Sequence, residues 1–338
     1  MHTRHRIELS AIDSRHYRSL RKITRFMLHE NLPILITGGN GNIARLLAKR
    51  LLKDGHKITC FDISDPTPES TVDGVDYLKG DICDQPLIEK ILKAASPKIV
   101  FHLASLLSGS SEADRKRAFQ VNAQSTFNLL ELALANGNPR IVFPGTGASY
   151  GSDIPPDVPE DQPQWPENIY GVTKIFNERL GAYYTMTHGM DFRCLRPPLV
   201  LSPYAPPAAL TAYASHAYVA AAKGEPFVFP VSPDIGMSTI YIEDLVEGFV
   251  QLAYADRGQL SRHAYNLHAF CPSAQEIADS IVKLKPDFQY SFEPDSVVES
   301  LLKTAAKVFL DGSARQDWGW NPISDLDDCS KAIFKLME

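Results

Sequence analysis

Pro33-Ile34-Leu35-Ile36-Thr37-Gly38-Gly39-Asn40-Gly41-Asn42-Ile43-Ala44, running on into Arg45-Leu46-Leu47-Ala48-Lys49-Arg50-Leu51, decides the fold. Three consecutive apolar residues, Ile34 to Ile36, predict a short strand buried on both faces, as in a parallel sheet. The glycines let the backbone turn sharply with no Cβ in the way. Beyond Gly41 the apolar residues Ile43, Leu46, Leu47 and Leu51 fall at helical spacing, so a helix begins there. A glycine-lined turn that opens a helix presents unpaired N–H groups, and the macrodipole favours an anion in front of them. Strand, glycine turn and helix together make a seat for a dinucleotide pyrophosphate.

An acid at the right distance completes the pattern. Lys57-Ile58-Thr59-Cys60-Phe61-Asp62 reads as the second strand. Asp62 closes it, where a carboxylate accepts hydrogen bonds from an adenosine ribose and repels a 2′-phosphate. No Arg or Lys follows before Lys79, which favours NAD over NADP. The plainer reading is a βαβ unit with a solvated Asp.

With 338 residues the chain is one large domain or two intimate ones. Its charged and apolar fractions are those of a soluble globular protein. The net charge of −6 argues against a nucleic-acid surface. Cys60, Cys83, Cys194, Cys271 and Cys329 are scattered without metal spacing and read as reduced thiols, with no metal site. From Pro197 to Ala222 only His216 can carry charge, but five prolines interrupt the run, so it reads as a buried substrate-facing lobe and not a membrane span. Residues 1–30 form a basic extension, with Arg and Lys outnumbering Glu8 and Asp13. The preferred reading is an extra helix, an arm or a start preceding a true initiator at Met27, with a cytoplasmic protein. The alternative is a mitochondrial leader.

Further along, Val75–Lys79 predicts a third strand, followed by Gly80, Asp81 and Ile82. Asp81 is placed to face an adenine amino group, with Ile82 on the ring, or to cap the next helix, Pro86 to Ala95. A fourth strand, Lys98 to Ala104, ends in the small residues Ala104 and Ser105, where backbone can approach a cofactor. His102 reads as a satisfied strand-end histidine. Ala113 to Asn136 predicts a long amphipathic helix, Arg140–Pro144 a fifth strand, Ile154 to Pro166 a surface loop, Ile169 to His188 a second long helix, and Asp191–Arg196 a sixth strand. This alternation gives an α/β fold, a Rossmann-type doubly wound parallel sheet with a smaller C-terminal substrate lobe. The expected division is 31–200 for the dinucleotide domain, with 237–258 returning to it. Residues 201–236 and 259–338 form the lobe. Thr239–Tyr241 with the helix Glu243 to Tyr254 is the return. The lobe carries a helix from Ser273, a strand Gln289–Phe292 and a helix from Ser296.

Tyr170-Gly171-Val172-Thr173-Lys174 puts a phenol and an ammonium on one helix face. A tyrosine with its free pKa of about 10 is a poor base at neutral pH. A neighbouring cation is expected to lower it. Thr146, at the end of the fifth strand, offers a hydroxyl to the same substrate oxygen. The three can take a proton from an alcohol while nicotinamide takes the hydride.

Together these motifs resemble an extended short-chain dehydrogenase/reductase of the NAD-dependent epimerase/dehydratase superfamily, from about Pro33 to the C-terminus. Thr37–Ala44, Asp62, Gly80-Asp81, His102-Leu103-Ala104, Val121-Asn122, Thr146, Tyr170 with Lys174, and Ile240–Asp244 carry the likeness. Within the superfamily the likeness runs to the short-chain L-threonine dehydrogenases, on His102–Ser108, Tyr265-Asn266-Leu267, Pro286-Asp287-Phe288 and, most specifically, Asp311–Pro322. The resemblance implies NAD held by Gly38, Gly41, Asn42, Ile43, Asp62, Asp81, Ile82, Leu103, Ala104, Ser105, Asn122, Tyr170 and Lys174. It implies catalysis by Thr146, Tyr170 and Lys174. Substrate is expected on Ser108, Thr146, Tyr170 and Thr211. It also implies a homodimer through the two long helices. The chain departs from that group where Tyr204–Tyr213 replaces a glycine- and threonine-rich loop, where Gly145 replaces a usual serine, and where Ala44 replaces the third glycine. A nucleotide-sugar epimerase or dehydratase is the alternative. Those enzymes place an Arg before the segment here read as Ile240-Tyr241-Ile242, where this chain has Met237 and Ser238.

Overall fold

The computed structural model describes residues 31–68, 70–206 and 209–337. The expected extension over 1–30 lies outside them. Seven strands form one parallel sheet: β1 (Pro33–Thr37), β2 (Lys57–Asp62), β3 (Val75–Lys79), β4 (Ile99–His102), β5 (Arg140–Pro144), β7 (Phe192–Arg196) and β11 (Ala264–Asn266), in the order β11-β7-β5-β4-β1-β2-β3. β1 is central, pairing with β2 on one side and β4 on the other. The strand order reverses between β1 and β4, where α/β sheets open a crevice at their carboxyl ends.

Side chains alternate along the buried strands. Ile34 and Ile36 join one core with Leu47 and Leu51 of the helix Asn42–Leu52 and with the helix Ile242–Tyr254. Leu35 faces the other side, joining Val100 and Ile141 under the helices Gln85–Ala95 and Ser125–Ala135. Each face is therefore covered by helices, as the continuous apolar strands require. The helix Ile169–His188 packs on β7 through Gly181, where a Cβ would fall 2.2 Å from the Phe192 ring.

Several expectations are corrected. Asp84, not Asp81, caps Gln85–Ala95, accepting from the Leu87 N–H at 3.1 Å. The long helix does not start at Ala113. Ser108–Ala113 is a separate short helix, and the chain breaks at Asp114, whose side chain caps Arg115–Ala118. A π-helical stretch, Phe119–Gln124, then leads into Ser125–Ala135. Thr239–Tyr241 (β10) does not join the main sheet. It pairs with Leu199–Leu201 (β8) instead. The outer place beside β7 goes to β11, which falls within the span expected for the lobe.

Outside the main sheet the architecture is made of small pieces. Phe227–Phe229 (β9) pairs with Tyr290–Phe292 (β12), and Asp157–Val158 (β6) with Val308–Phe309 (β13). Helices Tyr213–Lys223, Ala274–Leu284 and Leu326–Met337 pack together, and the Tyr218 hydroxyl bonds Ser280 and Ser330, each at 2.7 Å. Ser273 and Glu276 form a capping box at the start of Ala274–Leu284. All five cysteines are free. Among the described residues no helix is long and apolar enough to cross a membrane.

Candidate active site

A cavity of about 940 Å³ runs along the carboxyl ends of the strands into the space between the sheet and the C-terminal region. Its floor at one end is the glycine turn. Gly38 holds φ +69°, and a Cβ there would lie 2.7 Å from the Ala104 nitrogen, so the β1 turn and the β4 end touch backbone to backbone. Gly41 caps the following helix without any side-chain cap, and Asn42 and Ile43 line the cavity. The first N–H groups of an eleven-residue helix therefore face the space. This cradle fits a pyrophosphate.

Asp62 lies further along the wall. One carboxylate oxygen accepts from the Asn40 N–H at 3.1 Å and the other from the Ser64 N–H and hydroxyl, each at 3.2 Å. These bonds fix the carboxylate at the cavity edge. Asp81 and Ile82 also line it, and Asp81 is paired with Arg117 at 2.6 Å. Burial would raise the Asp81 carboxyl, but the Cys83 N–H and the Arg117 guanidinium outweigh it and hold the group below its ordinary value. Arg117 escaped the sequence reading, because its 36-residue separation from Asp81 leaves no local pattern.

At the middle of the cavity Thr146, Tyr170 and Lys174 meet. Asn168 caps the helix Ile169–His188 by accepting from the Gly171 N–H at 2.8 Å. A Cβ on Gly171 would lie 3.0 Å from the Ala148 carbonyl, so this glycine lets the helix start lie against the Thr146 turn. The Thr146 side chain faces the Tyr170 phenol and favours its ionised form. Lys174 is only 3% exposed, donates to the Pro144 carbonyl at 2.9 Å, and sits 5.4 Å from the Tyr170 ring centre. Burial pushes the Tyr170 phenol up to about 12, with Thr146 working against the rise. Burial likewise brings Lys174 down to about 8, opposed by Cys194. The expected lowering of the phenol is thus reversed here: withdrawal from water disfavours both charged forms, phenolate and ammonium.

Ser105, Leu103, Ala104, Ser108 and Thr211 also line the cavity. Asn122 does not. It is 1% exposed, and its amide clasps Leu106, accepting from the N–H at 2.7 Å and donating to the carbonyl at 3.0 Å. Asn122 lies in the π-helical stretch, and its own carbonyl accepts from Asn177 at 2.6 Å. It therefore holds the β4 loop in place from behind. His102 is a satisfied core histidine, bonded to Thr37 at 2.7 Å and Thr126 at 2.9 Å. Burial and the Lys174 charge lower its pKa to about 3. Gly145 has its own reason: a Cβ there would meet the Cys194 sulfur at 2.8 Å, so the usual serine has no room.

Beneath the Thr146 turn lies a buried polar network. Arg196 and Glu178 form a two-point ion pair, and Arg196 donates to the Tyr150 hydroxyl at 2.7 Å. Tyr150 donates in turn to Asn266 at 2.7 Å. Ser149 reaches the Thr146 carbonyl at 2.7 Å and accepts from Gln164 at 2.7 Å. Of these residues only Asn266, within Tyr265-Asn266-Leu267, is marked by the sequence; the network draws on five separate segments.

A family model described as NAD dependent epimerase/dehydratase matches residues 34–267. The mitochondrial L-threonine 3-dehydrogenase of Sus scrofa is 33% identical over 301 residues, covering 87% of this chain and 80% of that protein. The L-threonine dehydrogenase structure from Clostridium difficile superposes with a TM-score of 0.84 at 29% identity, over 91% of this chain and 98% of the other. The L-threonine 3-dehydrogenase structure from Trypanosoma brucei gives 0.82 at 28% identity, over 90% and 97%.

Proposed function

The chain belongs to the NAD dependent epimerase/dehydratase family, and on that premise we propose that it oxidises the secondary alcohol of a small β-hydroxy acid, L-threonine first among them. It is an NAD-dependent oxidoreductase of the extended short-chain type. NAD, when bound, supplies the acceptor for the electron pair of the carbinol C–H bond. Gly38, Gly41, Asn42, Ile43, Asp62, Asp81, Ile82 and the Leu103–Ser105 backbone would hold it. Tyr170 accepts the hydroxyl proton, Thr146 orients the oxygen, and Lys174 carries the compensating charge. Ser108 and Thr211 are the proposed substrate contacts.

One observation carries the choice against a nucleotide-sugar substrate. Among the described residues, the cations lining the cavity are Arg117, already paired with Asp81, and Lys174, committed to Pro144. Met237 and Ser238 line the wall where a diphosphate would need an arginine. The test is optical: NADH formation across β-hydroxy amino acids, simple hydroxy acids and sugar nucleotides. Turnover of β-hydroxy acids supports the reading, and turnover of sugar nucleotides alone removes it.

Three further parts of the proposal concern organisation. An exposed apolar face on the two long helical segments, with Phe119, Phe127, Val172, Phe176 and Tyr183, supports a homodimer. Light scattering of Phe176→Glu should then give a monomer at micromolar concentration. The dinucleotide domain is proposed as 31–200 with 237–258, extended by the strand Ala264–Asn266. For the compartment we keep the cytoplasm, and a reporter fused behind residues 1–30 tests the mitochondrial alternative.

A further inference from the structure

The substrate end of the cavity is not uniformly polar. Immediately beyond Thr146, a Cβ on Gly147 would lie 2.7 Å from the Phe309 ring, so that ring is packed directly against the backbone of the Thr146 turn. Phe309 is 5% exposed, stacks on Tyr150 at 5.6 Å between ring centres, and clusters with Ala306 and Ile154. Leu301, from the helix Ser296–Lys303, lines the cavity as well and stays 51% exposed. Two hydroxyls on this side are already used. Thr304 donates to the Leu301 carbonyl at 3.1 Å, and Ser238 bonds His268 at 2.8 Å. A polar or charged group seated against the buried Ala306 and Phe309 would lose its water without gaining a partner. The lining also carries Ser108 and Thr211, the latter in a turn that packs against the helix Ser296–Lys303 at the edge of this wall, and their hydroxyls suit a carboxylate or ammonium there.

From this division, and resting on the β-hydroxy acid reading above, we infer that the enzyme's own substrate carries an apolar group larger than methyl on the carbinol carbon. The class is β-hydroxy acids with an aliphatic chain or an aryl ring at the β-position, seated against Leu301, Ala306 and Phe309. The single methyl of L-threonine would leave most of that wall unfilled. A hydrophobic pocket separates substrates by about ten-fold or more per methylene when it is built to be filled.

The test is a series of L-β-hydroxy amino acids with methyl, ethyl, propyl and phenyl at the β-position, followed by NADH production with saturating NAD. The expected result is a kcat/KM that rises at least ten-fold from methyl to the best longer member. Leu301→Asn, a change at a half-exposed position, should shrink that ratio several-fold. A flat or falling series overturns the inference and leaves the β-hydroxy acid reading standing. A rising series whose ratio Leu301→Asn leaves unchanged overturns the assignment of the wall. No NADH from any member, with turnover of another alcohol in the wider panel, removes both the reading and the inference.

Discussion

The two ends of the cavity are built on opposite principles. At the dinucleotide end the wall is backbone: the positive-φ turn at Gly38, the uncapped helix start at Gly41 and the strand end at Leu103–Ala104. Side chains there do little beyond staying small, apart from Asp62 and Asp81. At the proposed substrate end the wall is side chain: Leu301, Ala306 and Phe309, with Phe309 on a strand two residues long. A ligand common to a whole family can be met by geometry that does not depend on side-chain identity. A ligand particular to one enzyme must be met by residues free to change.

Substitutions can break or sharpen this contrast. The largest effect is expected at the boundary between the ends. Tyr170→Phe should cut kcat by about 10²–10⁴-fold while NAD affinity holds, because it removes the proposed proton acceptor and leaves the backbone cradle untouched. Near-wild-type kcat in that variant would move the chemistry elsewhere in the cavity.

Lys174→Met should act on both rate and stability. With the phenol raised to about 12 by burial, the wild-type rate should climb with pH as the proton acceptor ionises, helped by a charged Lys174. In the variant that limb should move upward. The stability sign runs the other way. Lys174 loses its proton at about 8 in the fold but near its ordinary value of 10.5 when unfolded. Below pH 8 the fold carries the cost of a buried ammonium, on the order of 3 kcal/mol. That cost fades as pH rises from 8 to 10.5. The Tm advantage of the variant should therefore be greatest below pH 8 and shrink above it, and a constant Tm difference would contradict the buried charge.

Gly38→Ala tests the backbone end itself. A methyl at φ +69° facing the Ala104 nitrogen at 2.7 Å costs about 1–3 kcal/mol of strain and displacement. NAD affinity by fluorescence titration should weaken by about ten-fold or more. The smallest change is expected for Asp62→Ala. The NAD/NADP ratio of kcat/KM should fall about ten-fold, the worth of one hydrogen bond to a charged group. If Asp62→Ala costs more NAD affinity than Gly38→Ala, the backbone account of this end fails.

The same contrast explains what could be read from the sequence. The strands Lys57–Asp62, Val75–Lys79 and Arg140–Pro144 and the helix Ile169–His188 fall where periodicity put them. Buried strands and amphipathic helices write their periods into adjacent residues. The break at Asp114 and the π-helical stretch escaped, because one extra residue in a turn barely disturbs a 3.6-residue period. Ala264–Asn266 is only three residues long and shows no pattern, although it completes the main sheet. Asn122, expected on the cofactor, instead clasps Leu106 from behind the cavity. Its burial and its bonds to Leu106 depend on a loop sixteen residues away. The wall at Leu301 and Phe309 was invisible, since it exists only through contact with the turn at Gly147.

That last contact also orders events during synthesis. The ring of Phe309 closes on Gly147, 162 residues earlier in the chain (309 − 147), and β13 pairs with β6 across a similar span. A growing chain that has emerged through Asn266 holds all seven strands of the main sheet and every residue of the dinucleotide cradle. Its reaction chamber still lacks one side. Because domains fold as they are made and distant contacts close last, a nascent enzyme is equipped to hold its cofactor well before it is equipped to choose a substrate.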